Sequence, residues 1–205
     1  MTESDAVPGV PASGAEQATP DGTPHHHPQP LAWPTLSTPR LSIELLTEVY
    51  DTHLDALNDR YHMRFSEQRR VVHTKDIQRV YISTVGDESE QPEQQWMTLL
   101  DLKIKQGHTL GSMSCRYDQN NRVANIGIMI IPSMTAKFYG YEAWFEVMSH
   151  LLKHDYKVEA GCRSDHTAMR RIMERSGMLH EGTLLDHFLL EDGSRANCLL
   201  YGRCP

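Results

Sequence analysis

Four cysteines are all that the 205 residues carry, and no two of them form a C-x-x-C pair. Cys115, Cys162, Cys198 and Cys204 are spaced too widely for a structural zinc site. The expectation is reduced, buried thiols in or beside strands. No apolar run approaches the roughly 18–20 residues that cross a bilayer as a helix, so no membrane segment is expected. Positive charge is scarce: 20 Lys and Arg against 27 Asp and Glu leave a net charge of −7. That excludes a broad basic footprint for nucleic acid. The start, M-T-E-S-D-A-V-P-G, has neither the basic opening nor the apolar core of a secretion signal, so the expected location is the cytoplasm. Aromatics make up only 7% of the chain, but an apolar share of 39% is enough for a real core. The length suits one domain of ordinary size with an appendage.

Residues 1–39 hold most of the prolines, with Gly, Ser, Thr and Ala filling the rest. Such a stretch buries too little apolar surface to offset its ordering entropy. Residues 1–35 therefore read as a disordered leader and residues 36–205 as the folded domain. His25, His26 and His27 read as a solvated run inside that leader, and no metal is assigned to them. Trp33 is a candidate to pack onto the domain.

Within the domain, Leu41-Ser-Ile-Glu-Leu alternates and predicts a first strand. Residues 49–60 and 73–85 predict helices, the second opened by a Thr74 cap. Between them runs Y-H-M-R-F-S-E-Q-R-R, Tyr61 to Arg70, too polar for core and too rich in aromatics and arginine for a passive linker. After a charged loop over 86–95, Trp96–Ile104, Thr109–Tyr117 and the Val123 strand predict an antiparallel meander. Val123 to Ile131 is a β-branched apolar run closed by Pro132, the pattern of a strand buried on both faces. A short polar loop with Lys137 and Gly140 follows. Ala143, Phe145, Val147, Met148, Leu151 and Leu152 then recur at helical spacing. A strand, a loop and a helix start make a ready anion site, because free backbone N–H groups and the helix dipole point outward there. Further on, Lys157–Gly161 predicts a strand and Thr167–Ser176 a helix ended by Gly177. Glu181–Leu190 and Arg195–Tyr201 predict a hairpin around Asp192-Gly193.

These residues resemble the GNAT superfamily of N-acetyltransferases, over roughly residues 36–203. Leu36-Ser-Thr-Pro-Arg-Leu is similar to the "L-x-T-x-R-L" start of the branch that acetylates ribosomal-protein N-termini. His108-Thr-Leu-Gly111 and Ala124-Asn-Ile-Gly127 resemble its two Ile-Gly strands, and Glu142-Ala143 the "E-A" that opens its main helix. Arg171-Ile-Met-Glu-Arg-Ser-Gly-Met178 and Glu181-Gly182 resemble its "r-v-x-E-K-x-G-F" and "E-G". The fragments R-F-S-E-Q-R, K-V-E-A-G and R-S-G-M look most like enzymes found with surface-polysaccharide genes, which acetylate amino sugars, often on nucleotide carriers. The resemblance implies a mixed α/β (α+β) GNAT fold, a mostly antiparallel twisted sheet of about seven strands flanked by four helices. It implies acetyl-CoA as the coenzyme and transfer of its acetyl group to a primary amine, most of all a small molecule such as a nucleotide-linked amino sugar. A protein N-terminus as acceptor and a non-catalytic acyl-CoA-binding protein stay open, as does a homodimer.

The family's phosphate loop, Q/R-x-x-G-x-G/A, falls on Thr135-Ala136-Lys137-Phe138-Tyr139-Gly140, where only the last glycine is kept. If position 138 needs a positive φ, phenylalanine there costs about 1–2 kcal/mol. The amides of Phe138, Tyr139, Gly140 and Tyr141 remain able to bind a pyrophosphate, with Lys137 adding charge. Met129, Ile130 and Ile131 would hold the pantetheine arm, given a local splay from the next strand, and the Met129 region would supply the oxyanion donor. His166 stands where the family has an asparagine that binds pantetheine. For the general base, which needs a pKa near the working pH, His187 is the first candidate and His108 the second; both also read as structural or exposed histidines. Alternation puts Asp186 on the opposite face from His187. The positions that carry the thiolate's acid in relatives are Met173 and Met169 here. Tyr61, Arg64, Phe65, Glu67 and Arg69 would cover the acceptor side, the arginines suiting a diphosphate or an acidic peptide.

Overall fold

The structure, a computed structural model, describes residues 31–65, 95–105 and 107–205. The leader up to residue 30, the helix expected over 73–85, the charged loop up to residue 94, Gln106, Glu67 and Arg69 lie outside the described residues. The elements, in order, are β1 (Leu36–Ser37), β2 (Leu41–Leu45), α1 (Asp51–Asn58), a 3-10 turn (His62–Phe65), β3 (Gln95–Ile104), β4 (Thr109–Asp118), β5 (Val123–Ile130), a second 3-10 turn (Pro132–Met134), α2 (Tyr139–Lys153), β6 (Lys157–Arg163), α3 (Thr167–Arg175), β7 (Leu179–Leu189) and β8 (Arg195–Arg203). Among the described residues no helix is long and apolar enough to cross a membrane.

One eight-stranded sheet holds the chain together, in the order β1-β2-β3-β4-β5-β6-β8-β7. The eighth strand is β1, two residues long; so short a strand leaves no alternation to read. Every neighbouring pair is antiparallel except β5 and β6, which are parallel. A parallel pair needs a crossover, and α2 is that crossover. The core lies on the α2 side of the sheet. Leu41, Ile43, Leu100, Leu102, Met113, Cys115, Ala124, Ile126, Val158 and Ala160 meet Trp144, Val147, Met148 and Leu151 there. Each large aliphatic side chain so buried contributes about 1.5–3 kcal/mol. Ala143, Val147, Met148 and Leu151 are buried as the spacing predicts, but Trp144 is buried with them and Phe145 is 44% exposed. Leu31 and Trp33 also pack against this core, and the Trp33 ring lies 4.8 Å from that of His150.

The other face of β3 and β4 carries Asp101, Ser112 and Ser114, which alternate with the core residues. There α1 brings His53 and Leu54 against it, both buried. Turn chemistry follows the sequence. Gly107 (φ 95), Gly177 (φ 82) and Gly193 (φ 84) take the left-handed conformations expected of a hairpin turn, a helix end and a second hairpin turn. Of the four cysteines, Cys115, Cys162 and Cys198 are buried but Cys204 is exposed, because β8 ends at Arg203 and the last residues leave the sheet. Burial, and then Cys198, push the Cys162 thiol up to about 11.

Candidate active site

A slot opens in the middle of the sheet. β5 pairs with β4 along its whole length, from Val123 to Ile130. It pairs with β6 only from Val123 to Asn125. Beyond Asn125 the two strands diverge, so the expectation of a strand buried on both faces fails at its C-terminal end, where Ile128, Met129 and Ile130 are only half-buried. The Ile131 amide is committed to the Leu110 carbonyl, 2.8 Å away. Alternation from that bond turns the backbone groups of Met129 toward β4 as well, and those of Ile128 and Ile130 into the slot. The strand-edge donors and acceptors are therefore Ile128 and Ile130, not the Met129 and Ile131 flanking them.

The slot runs into the start of α2. Phe138, its N-cap, has φ 64 and ψ 6, so the left-handed conformation anticipated for this position is adopted by phenylalanine, with Ala136 (φ 60) close before it. Phe138 makes no side-chain cap bond. The first intrahelical bond is Glu142 N–H to the Phe138 carbonyl, 3.2 Å. The amides of Tyr139, Gly140 and Tyr141, ahead of that bond, open outward at the positive end of the dipole. Gly140 faces three isoleucines: a Cβ there would stand in ordinary contact, 3.5 Å from Ile130, 3.8 Å from Ile172 of α3 and 3.9 Å from Ile128. The helix start, the open edge of β5 and α3 thus converge on one point. Phe138 itself is 68% exposed, its ring turned out. Thr135, at the family's Arg or Gln position, donates its hydroxyl to the Pro132 carbonyl at 2.9 Å, and the Lys137 ammonium lies 3.5 Å from the Met134 sulfur.

Two motifs a hundred residues apart meet at this loop. The Thr38 hydroxyl donates to Glu142. The Arg40 amide donates to the same carboxylate at 3.1 Å and the Arg40 Nε at 2.6 Å. The other end of the Arg40 guanidinium donates to the Lys137 carbonyl at 3.2 Å, and its carbon stands 4.5 Å from the Tyr139 ring centre. Burial alone would raise the Glu142 pKa, but the bonds from Thr38 and Arg40 outweigh it and hold the carboxyl below its usual range. The carboxylate is therefore neutralised locally and does not oppose an anion at the helix start.

On the far side of the slot, the 3-10 turn after α1 docks on the end of β6. Phe65 stacks on His166, 4.2 Å between ring centres. Arg64 lies over Tyr61 at 3.7 Å and over Phe65 at 4.4 Å. Arg163 donates to the Arg64 carbonyl at 2.7 Å and holds Asp165 through two bonds of 2.6 and 2.9 Å. The structure thus brings Tyr61, Arg64 and Phe65 together with His166. His166 caps α3, its Nδ1 accepting from the Met169 amide at 3.4 Å. Burial, then the Arg64 charge, pull its pKa down.

The two histidines proposed as bases are not brought together. His187 is exposed on β7, the outermost strand, separated from β5 by β6 and β8. The alternation assumed around it breaks: Asp186 has φ 51, and the β7–β8 register shifts between Leu184 and Phe188. His108 is exposed in the β3–β4 turn, three residues before Gly111, which pairs with Ile130 at the mouth of the slot. A third histidine, His53, stands in no motif of the sequence. Its Nε2 lies 3.2 Å from the Gly111 carbonyl and 3.4 Å from Asp101, and both residues are 2% exposed. Charged and ionisable residues almost never stay this buried unless paired, but nothing in the sequence links position 53 to 101; only the fold does.

A model of the family described as Acetyltransferase (GNAT) domain matches residues 40–179. No curated protein matches the chain. Among solved structures, the Salmonella typhimurium acetyl transferase that modifies the N-terminal serine of ribosomal protein L7/L12 superposes with a TM-score of 0.67, at 16% identity, over 82% of this chain and 96% of that one. Spermidine N-acetyltransferase from Vibrio cholerae, in complex with CoA and spermine, gives 0.66 at 15% identity over 80% and 95%. The microcin C7 self immunity acetyltransferase MccE, in complex with acetyl-CoA and AMP, gives 0.67 at 18% identity over 82% and 94%. At these identities the likeness is one of fold.

Proposed function

The chain belongs to the GNAT acetyltransferase family, and from that premise we propose that it moves the acetyl group of acetyl-CoA to a primary amine of a small molecule, a nucleotide-linked amino sugar above all. The observation that carries the coenzyme reading is the slot between β5 and β6 ending at the uncapped start of α2. The pyrophosphate would take the amides of Tyr139, Gly140 and Tyr141, with Lys137 as a point charge. The pantetheine arm would pair as a short strand with Ile128 and Ile130. Its acyl end would then lie deeper in the slot, at the level of Ile128 and its partner Met113.

No covalent enzyme intermediate is needed, since an amine attacks a thioester directly. The residues must take one proton from the ammonium form and stabilise the oxyanion of the tetrahedral intermediate. His108 is the nearer of the two in strand order, in the turn that leads into β4 three residues before Gly111; His187 lies beyond two further strands. Water serves as the acid for the departing thiolate in this reading, because Met169 and Met173 have no proton to give. Tyr61, Arg64 and Phe65 offer a guanidinium and two rings on the acceptor side, a combination suited to a base and a phosphate. The fold likeness to a structure holding acetyl-CoA and AMP agrees with this.

The test is thiol release from acetyl-CoA with a nucleotide-linked 4-amino sugar, a serine-starting peptide and spermidine. Release with the sugar nucleotide alone is expected. Release with the peptide alone would move the protein to N-terminal acetylation, and tight acetyl-CoA binding with no release on any acceptor would make it a non-catalytic binder. In the same assay His108→Ala is expected to lower kcat/KM by at least about a hundredfold. A reduction within threefold would remove His108 as the base.

A further inference from the structure

The strands β3 and β4 do not run in even register. Leu102 pairs with Gly111 and Lys103 with Thr109, so Leu110 is the extra residue of a bulge. A bulge unpairs part of a ladder and re-aims the backbone. At Gly111 (φ 155) the chain also presses against β5: a Cβ would lie 2.0 Å from the Met129 carbonyl oxygen and 2.9 Å from the Ile130 α-carbon. Whatever fixes Gly111 fixes the Met129–Ile130 segment beside it.

His53 is what holds Gly111 from the other face. The carbonyl of Gly111 only accepts, so His53 Nε2 carries the proton in their 3.2 Å contact. His53 Nδ1 accepts from the Tyr50 amide at 3.3 Å, which fixes the ring from behind at the start of α1. Asp101 backs the same Nε2 at 3.4 Å and is itself held by the Thr109 hydroxyl at 3.1 and 3.2 Å and approached by the Lys103 ammonium at 3.5 Å. A buried, fully partnered ring of this kind rigidifies what it touches.

We propose that His53 and Asp101 form a buried positioning pair that sets Gly111 and, through it, the Met129–Ile130 backbone that leads into the acyl end of the slot at Ile128, so that the pair governs polarisation of the thioester and not coenzyme affinity. The inference rests on the coenzyme reading given above. It gives α1 a part in the chemistry that no contact with substrate supplies. A displacement of even about 1 Å in such a backbone reduces turnover heavily, while remote binding contacts are unaffected.

Two substitutions divide the contacts of the ring. His53→Asn keeps an acceptor for the Tyr50 amide but is too short to reach Gly111; His53→Gln keeps a donor for Gly111 and gives up Tyr50. The probe is acetyl-CoA labelled with carbon-13 at the acetyl carbonyl, and the readout is its infrared carbonyl band, free and bound. In the native protein the bound band is expected to move to lower frequency. In His53→Asn it returns toward the free position while Kd stays within about threefold; in His53→Gln it remains shifted. A band in His53→Asn identical to the native one, a native band with no shift, or a loss of affinity in step with the band overturns the inference. Absence of acetyl-CoA binding by the native protein instead overturns the coenzyme reading itself. Should His53→Asn not fold, Asp101→Asn replaces it, since it loosens the charge-assisted hold on the same ring; a native band there overturns the pair.

Discussion

Phe138 occupies φ 64, a conformation that costs an L side chain about 1–2 kcal/mol, and its ring recovers little of this because it points to solvent. Glycine there would remove the strain but return about 0.5–1 kcal/mol through the freedom it gives the unfolded chain. The net expectation for Phe138→Gly is a gain of about 0.5–1 kcal/mol, read as a rise of roughly 1–4 °C in the melting temperature. A fall in melting temperature would mean that the exposed ring makes contacts worth more than the strain. Sequence reading could raise this question, since the family motif marks the position as a glycine's. It could not answer it, because a φ angle is set by how α2 leaves the loop and not by the side chain alone.

At the scale of elements, the β1–β2 turn and the start of α2 are clasped by Thr38, Arg40 and Glu142. The Arg40 side chain is 44% exposed, so the ion pair itself contributes less than about 1 kcal/mol to stability. Its larger effect is on the loop, whose Lys137 carbonyl it holds. Arg40→Ala is therefore expected to weaken acetyl-CoA by roughly tenfold through lost preorganisation, with a melting temperature only a few degrees lower. Calorimetric titration decides it; an unchanged Kd would sink the idea. Both motifs of this clasp were legible in the sequence, as were strands β2 to β8, helices α1 to α3 and the loop between them. Their meeting was not, because hydrophobic period and turn residues report neighbours along the chain. The pair of His53 and Asp101 escaped for the same reason. The placing of Asp186 opposite His187 did not foresee the bulge in β7, since alternation was assumed where Asp186 breaks it.

For the whole molecule, one buried and one half-buried histidine give stability an acid limit. Burial, then His154, lower the pKa of His150, and burial, then Arg64, lower that of His166. In each case the unfolded chain takes up a proton at a higher pH than the folded one. Their contribution is therefore present above the ordinary histidine pKa and is lost as pH falls through the depressed folded value. Melting temperature is expected to drop from about pH 7 to about pH 5, and His150→Phe, which keeps the ring against Trp33 and His154, to flatten that slope. A slope as steep in the variant as in the native protein would exclude His150 as a source.

The sheet is continuous in strand order yet joined at its middle by only the three residue pairs from Val123 to Asn125. Every other seam is longer, apart from the short β1 edge. Mechanically this makes two stiff leaves, β1 to β5 and β6 to β8, sharing a hinge at one end and open at the other. Rotation about that hinge leaves the ladders within each leaf intact, so the width of the opening is among the softest dimensions of the molecule. Whatever lies along β5 sets the angle between the leaves.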